Sequence, residues 1–423
     1  MFNKLKNFIR ILERKDQIKL IGLFFMMLIS VVIEVFSIAS ILPLTREFFN
    51  PGESLQFLNN IKSISSFETI YVLILFFILI YFIKFIFLLS FNYHQNKFIS
   101  NLSAKLTTQL FNTYLFREYE FHTQNNSSTM LRNLVTEVKL LCSSFIYPIF
   151  TLIIEAAVVL GILIFLFNYH TIISFITAIF FITIIGVYFI SIRKKFLHWG
   201  NQRQVLNRLT LKYSLHGLNA IKEIKIYNKE NYFKDVFSSN EFKFAELSKV
   251  YQTFQQLPRL LFEFIIVLFL ISLMFFLKFT NEPNNEIFEI LGVFSLASMR
   301  FIPSASRIIG SLQLFRFASP TIDLILKENL LTTNLTDKII KDKTNIGDHS
   351  FSSSINLKNL SFKFENKNEF ILKNINLEIK KNEIIGIYGV SGSGKSTIVD
   401  LISGLLSSTS GRITMDNEAI KKN

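Results

Sequence analysis

The apolar residues of this chain are gathered into long blocks. Six of these, before residue 325, reach the length of a membrane crossing, for which about 20 predominantly apolar residues suffice. They run over 20–44, 68–91, 141–167, 171–192, 258–279 and 286–310. The fourth, TIISFITAIFFITIIGVYFISI, holds no charge, whereas the sixth carries Glu289, Arg300 and Arg307 and falls below a strict hydropathy threshold. After the second block Leu102, Leu106, Leu110 and Tyr114 continue a helical spacing, and after the fourth Val205, Leu209, Lys212 and His216 do the same. Residues 92–140 and 193–257 therefore read as long helices that leave the membrane and return. An extension of about 20 residues reaches roughly 30 Å at 1.5 Å per residue.

Basic residues orient the spans, because Lys and Arg accumulate on the cytoplasmic side. Lys4, Lys6, Arg10, Arg14 and Lys15 precede the first block, Lys97, Lys105, Arg117 and Arg132 lie between the second and third, and Arg193-Lys194-Lys195 open the segment after the fourth. The alternate connections hold Lys62 alone in 47–66 and no base in 168–170 or 280–285. Both ends are thus expected in the cytoplasm. The net charge of +14 reads as topology rather than as an affinity for nucleic acid. Phe2, Leu5, Phe8, Ile9 and Leu12, with bases between them, predict an interfacial helix over 1–17 rather than a cleaved signal peptide. Half the residues are hydrophobic and 48 are Phe, which excludes a disordered chain and an ordinary soluble enzyme. A single cysteine, Cys142, excludes an intrachain disulfide and argues against a Cys/His zinc site.

The texture changes at 326. Residues 326–352 are rich in Ser, Thr, Asn and Lys and read as a linker. Leu360, Phe362 and Phe364, then Ile375, Leu377 and Ile379, alternate as in strands, and Ile384–Tyr388 is a continuous apolar run suited to a buried strand. GVSGSGKST follows at 389–397, and Ile398, Leu401, Ile402, Leu405 and Leu406 mark a helix with one buried face. A strand, G-x-x-x-x-G-K-[ST] and a helix form a phosphate-binding loop in its required context. Gly389, Gly392 and Gly394 let successive N–H groups turn inward at a helix N-terminus, which favours an anion. Lys395 would approach the β- and γ-phosphates, and the Ser396 hydroxyl would ligate Mg²⁺.

Six spans followed by this loop resemble a half-transporter of the ABC exporter superfamily, and ILKNINLEIKKNEIIGIYGVSGSGKSTIVDLISGLLSSTSGRITMDN is similar to the opening block of that family's ATP-binding domain. The resemblance implies an all-α six-helix transmembrane exporter domain (18–325) with long cytoplasmic helical extensions, followed by an incomplete α/β P-loop ATP-binding domain (353–423). It further implies ATP and Mg²⁺ as cofactors, with Gly389, Ser391, Gly392, Ser393, Gly394, Lys395, Ser396 and Thr397 as ATP-binding residues. Phe364 stands where the family places an adenine-stacking aromatic, more often Tyr; the same residue also reads as a core strand residue. A homodimer, or a pair with a second ABC half-transporter, is implied as well, with turns near Phe121–Asn126 and Gly217–Lys225 pressing on the ATP-binding domains.

EYEFHTQNNSSTMLRNLVTEV, GLNAIKEIKIYNKENYF and SMRFIPSASRIIGSLQLFRFASP look like stretches of bacterial lipid-linked oligosaccharide flippases. That likeness implies a bacterial inner-membrane protein moving an amphipathic, phosphate-bearing lipid. A general lipid or multidrug exporter, and a truncated ATP-binding membrane module, remain open alternatives; a membrane sensor with a P-loop kinase is disfavoured. Only 26 residues follow Thr397, and they contain no glutamine loop, LSGGQ-type signature, catalytic Glu or switch His. The 423-residue chain is therefore expected not to hydrolyse ATP by itself, which turnover above a Lys395→Ala control would overturn.

Glu34, Lys84, Glu155, Glu263, Arg300 and Arg307 lie in or at the edge of the spans, where a charge usually faces a cavity or a partner. Arg300 and Arg307 share a face of the sixth span, with Pro303 between them able to kink the helix. Two readings stand: this face lines a substrate path and meets phosphate, or the arginines are bridged to Glu34, Glu155 or Glu263.

Overall fold

The computed structural model describes residues 13–40, 69–280, 284–326, 328, 351–364, 368–416 and 418–419. Residues 1–12 of the expected interfacial helix, the connection containing Lys62 and most of the 326–352 linker lie outside these. The chain divides into two compact units, Met1–Thr108 with Arg132–Asn329, and Gln109–Leu131 with Leu330–Asn423.

The first unit is helical, and residues 109–131 of the second are mainly helical too. Helix α1 spans Arg14–Ala39, α2 Thr69–Leu115, and the short α3 Tyr119–Gln124. Helix α4 runs over Ser127–Tyr169, α5 over Thr171–Asn219, the short α6 over Ile221–Ile226, α7 over Glu230–Phe279 and α8 over Asn284–Phe317. Five of them, α1, α2, α4, α5 and α7, are long and apolar enough to cross a membrane, and α8 contains the sixth and least apolar block. At 47, 49 and 50 residues, α2, α5 and α7 continue well past their apolar blocks without a break. Each is about 70–75 Å long, more than twice the roughly 30 Å hydrocarbon layer. The expected long extensions are therefore single continuous helices. The turns Phe121–Asn126 and Gly217–Lys225 carry the short helices α3 and α6.

The core of the first unit forms where apolar faces of α4, α5, α7 and α8 meet. Val158, Ile162 and Leu166 pack with Ile173, Phe269, Leu273, Leu277, Ile290 and Phe294. A second cluster centres on Phe181, whose ring lies 4.0 Å from that of Phe301, with Phe262, Ile266 and Ala305 around it. Phe-rich blocks also present an outward apolar face, including Leu75, Ile78, Phe82, Phe85 and Leu89 of α2. That face costs nothing in contact with acyl chains, whereas in water it would be an aggregation surface. Helix α4 is interrupted by π turns at Asn133–Glu137 and Cys142–Ile146, which shift the register of the side chains that follow.

The strands lie in the second unit: β1 (Ser354–Phe362), β2 (Leu372–Lys380), β3 (Ser410–Met415) and β4 (Glu418–Ala419), with helix α9 (Lys395–Ile402) between β2 and β3. They form one antiparallel sheet in the order β2-β1-β3-β4. Leu357 pairs with Leu377, Leu360 with Ile375 and Phe362 with Leu372. Between these pairs the register slips once on each strand, at Asn359 and Asn374, both with φ near +50°. A bulge needs a residue that tolerates left-handed backbone, and Asn is one of the few side chains that does. Leu357, Leu360 and Phe362 thereby reach the same core as Leu372, Leu401 and Leu406, although strict alternation would have split them between faces.

One expectation is corrected. Ile384–Tyr388 is not a strand: residues 383–389 have no regular secondary structure and no ladder partners among the described residues, and Ile384 and Tyr388 are 98% and 97% exposed. An apolar run becomes a buried strand only when neighbours cover it on both faces. Among the described residues, every strand of the sheet pairs elsewhere.

Candidate ATP-binding loop and membrane ion network

The loop 389–394 leads into α9, whose N-cap is Gly394. Gly392 and Gly394 have φ of +85° and +89°, the left-handed region where side chains are strained. Space constrains Gly394 as well, since a Cβ there would lie 2.8 Å from Leu372 Cδ2. The loop closes on itself, with Ser393 N–H donating to the Val390 carbonyl at 3.2 Å. Lys395 Nζ donates to the Gly389 and Val390 carbonyls, each at 2.9 Å, so its ammonium lies at the mouth of the loop. Ser391, Gly392, Ser393 and Ser396 are exposed, while Thr397 is half-buried.

These residues fit a nucleotide phosphate. Glycine at both left-handed positions, a helix N-terminus and an ammonium partnered among the described residues by carbonyls offer N–H and N⁺–H donors to an anion, and the exposed Ser396 hydroxyl could face a divalent cation. Phe364 lies just past β1, half-buried, with its ring edge-on to Phe362 at 5.0 Å and packed against the sheet core.

The charges within the spans are brought together. Arg300 of α8 contacts Glu34 of α1 at 2.6 Å and Glu155 of α4 at 3.4 Å. Arg307, two turns further along α8, reaches the other oxygen of Glu155 at 2.6 Å. Ser304 donates to Glu155 Oε2 at 2.7 Å, and Lys84 of α2 lies 3.7 Å from Glu34 and donates to Ser37 Oγ at 3.0 Å. Four helices are tied in one network of three cations against two carboxylates, an excess of one positive charge. Glu155 and Glu34 are buried, whereas the Arg307 side chain is 53% exposed. Glu263 stands apart, paired with Arg259 one helical turn away.

A second buried charge cluster has no counterpart in the sequence reading. Glu137, fully buried in the first π turn of α4, accepts from Arg203 of α5 at 3.1 Å and from the Thr321 hydroxyl. Arg203 also donates to Thr321 Oγ1 at 2.9 Å, and Arg132 lies 3.8 Å from Glu137. Beside it α5 and α8 touch through backbone: a Cβ on Gly200 would lie 2.2 Å from the Phe317 carbonyl oxygen. The Phe317 ring stacks on Tyr251 at 4.0 Å. The only local hint in the sequence is an acid placed among Leu134, Val135 and Val138.

Residues 18–301 match the ABC transporter transmembrane region family, and residues 372–423 match the ABC transporter family. Over 398 residues the chain is 24% identical to the multidrug resistance-like ATP-binding protein MdlB of Buchnera aphidicola, covering 89% of this chain and 64% of that protein. It is 28% identical over 197 residues to the nisin transport ATP-binding protein NisT of Lactococcus lactis, covering 47% of this chain and 32% of that protein. The chain thus spans less than two-thirds of the length of these curated relatives. Its fold is similar to that of a bacterial Atm1-family ABC exporter with ATP bound, at a TM-score of 0.68 and 15% identity over 95% of this chain and 68% of that one. With the transmembrane match extending over more than half its length and the second match following it, the chain belongs to the ABC transporter family, as a multi-pass membrane protein whose transmembrane region is followed by a cytoplasmic-type ABC segment.

Proposed function

We propose that this chain is a subunit of an ATP-driven exporter that moves an amphipathic, phosphate-bearing lipid, such as a lipid-linked oligosaccharide, across a bacterial inner membrane. It works as a homodimer or beside a second half-transporter, with both ends in the cytoplasm, as the distribution of basic residues supports. The observation that carries the cargo class is the membrane ion network. Among the described residues it holds one cation more than it has carboxylates, and Arg307, its most exposed member, has a single carboxylate partner there. A guanidinium so placed offers its remaining donors to phosphate oxygens, which it matches in a planar fork. ATP binds through Gly389, Ser391, Gly392, Ser393, Gly394, Lys395, Ser396 and Thr397, with Phe364 against the adenine. Mg²⁺, held by Ser396, supplies charge neutralisation at the phosphates.

A second reading, a general exporter of lipids or drugs, is favoured by the full-chain likeness to a multidrug resistance-like protein. Arg307→Gln in the full-length subunit reconstituted in liposomes separates the two. On the first reading, flipping of a polyprenyl-diphosphate oligosaccharide falls at least tenfold while basal ATPase and transport of an uncharged dye persist. Unchanged flipping would sink it, and an equal loss for both cargoes would favour the second.

A further inference from the structure

Helix α7 changes character at Pro258. Residues 230–257 carry Glu230, Lys234, Asp235, Glu241, Lys243, Glu246 and Lys249, whereas 260–277 carry a single charge, Glu263. The helix is continuous through this point, but proline has no N–H, so the carbonyl four residues earlier, that of Phe254, loses its helical donor. Left unpaired at the core of a helix bundle, such a carbonyl costs about 1–3 kcal/mol. Two side chains from two other helices fill the gap. Tyr188 of α5 donates its hydroxyl to Phe254 O at 3.2 Å, and Gln313 of α8 donates Nε2 to the same oxygen at 3.2 Å. Gln313 Nε2 also donates to the Tyr188 oxygen at 3.2 Å, closing a three-membered clasp. Gln313 is 2% exposed, and the carbonyl it meets fixes its amide with the nitrogen inward. Its Oε1 is buried without a partner among the described residues, so the clasp spends one unsatisfied acceptor to keep Phe254 paired.

We propose that Pro258 is a hinge between the polar and apolar halves of α7, and that Tyr188 and Gln313 are the clasp that holds it in its present setting. Each donor comes from a different neighbour, so the setting of α7 is fixed only while α5 and α8 stay in place. Movement of either helix releases the carbonyl and frees α7 to flex. The clasp sits where α5, α7 and α8 each pass from an apolar block to a polar one, the level at which a change in the extramembrane halves reaches the spans. The inference stands on this geometry whatever the cargo.

The test is a cycle in the chain reconstituted in nanodiscs, with spin labels at Phe242→Cys and Phe275→Cys, both exposed positions on the two halves of α7, in a Cys142→Ser background. Tyr188→Phe and Gln313→Leu, singly and together, are expected to broaden the distance distribution along α7 and to lower the thermal midpoint in the Pro258 protein. Pro258→Ala returns an N–H to Phe254 O, so it should narrow the distribution below that of the parent. In that background the same two substitutions should leave the width unchanged. Equal broadening by Tyr188→Phe in both backgrounds would reduce the pair to ordinary packing and overturn the clasp. A Pro258→Ala distribution as broad as the parent's would overturn the hinge. Tyr188→Phe removes one oxygen and no carbon, so the comparison survives even if Gln313→Leu fails to fold.

Discussion

Gly200→Ala gives opposite answers from sequence and from structure. By helix propensity alone, Ala in place of a mid-helix Gly stabilises by about 1 kcal/mol. Gly200 nevertheless lies in α5 with the Phe317 backbone directly against it, and a Cβ would stand 2.2 Å from the carbonyl oxygen, 3.0 Å from its carbon and 3.2 Å from the Cα. Ordinary contact begins near 3.4 Å, so the helices must part by roughly 1 Å. The obstacle is backbone, which cannot rotate aside as a side chain does. Parting them also disturbs Phe196, the Phe317–Tyr251 stack and Arg203, whose guanidinium lies 5.5 Å over the Phe317 ring. Overpacking costs about 1–3 kcal/mol, and a backbone clash belongs at the upper end. After the propensity gain the variant should be about 2 kcal/mol less stable. Gly186→Ala is the control, since it lies in the same helix with nothing within 4 Å of the added carbon. Thermal denaturation in detergent, followed by loss of the monodisperse peak, should place Gly200→Ala several degrees below the parent and Gly186→Ala at or above it. A Gly200→Ala protein as stable as Gly186→Ala would refute the backbone contact and the clustering built on it.

Glu137→Ala should destabilise the membrane unit by about 3–5 kcal/mol, because it leaves buried Arg203 without its carboxylate; a thermal midpoint within a degree of the parent would show that the cluster is hydrated. Asp416 accepts from the backbone N–H groups of Ser352, Ser353 and Ser354. These bonds, Ser352 foremost, hold its pKa well below the usual carboxylate range. A lowered folded-state pKa contributes stability that is complete above the unfolded value of about 3.9 and is lost as pH falls below it. Asp416→Asn should therefore speed hydrogen exchange over 352–362 at neutral pH, with the difference from the parent closing as pH falls below about 4; a difference independent of pH would mean the carboxylate charge is not what ties the strand.

Much of the fold was legible in local patterns. Apolar blocks and their helical continuation gave the long helices, because periodicity is a property of neighbouring residues, and Gly389, Gly392, Gly394 and Lys395 announced the loop because its backbone demands are local too. The sequence could state that Arg300 and Arg307 needed partners, but which carboxylates stand near them depends on where α1 and α4 are placed. Glu34 and Glu155 then proved to be within reach and Glu263 did not. The run at 384–388 was apolar enough for a core strand, yet strand status depends on ladder partners from elsewhere in the chain, and none of the described residues provides them. Glu137, Arg203 and Thr321 lie 66 and 118 residues apart, and Phe254, Tyr188 and Gln313 are comparably scattered. No spacing rule joins such residues; only helix packing brings a buried charge to its counter-charge, or a proline-freed carbonyl to its donors. Residue order by itself determined which segments are helices, which are apolar enough to cross a membrane and where a phosphate-binding loop is expected. Tertiary structure alone decided which buried polar groups are paired, because in an apolar interior each must find a partner and the chain does not keep those partners close in sequence.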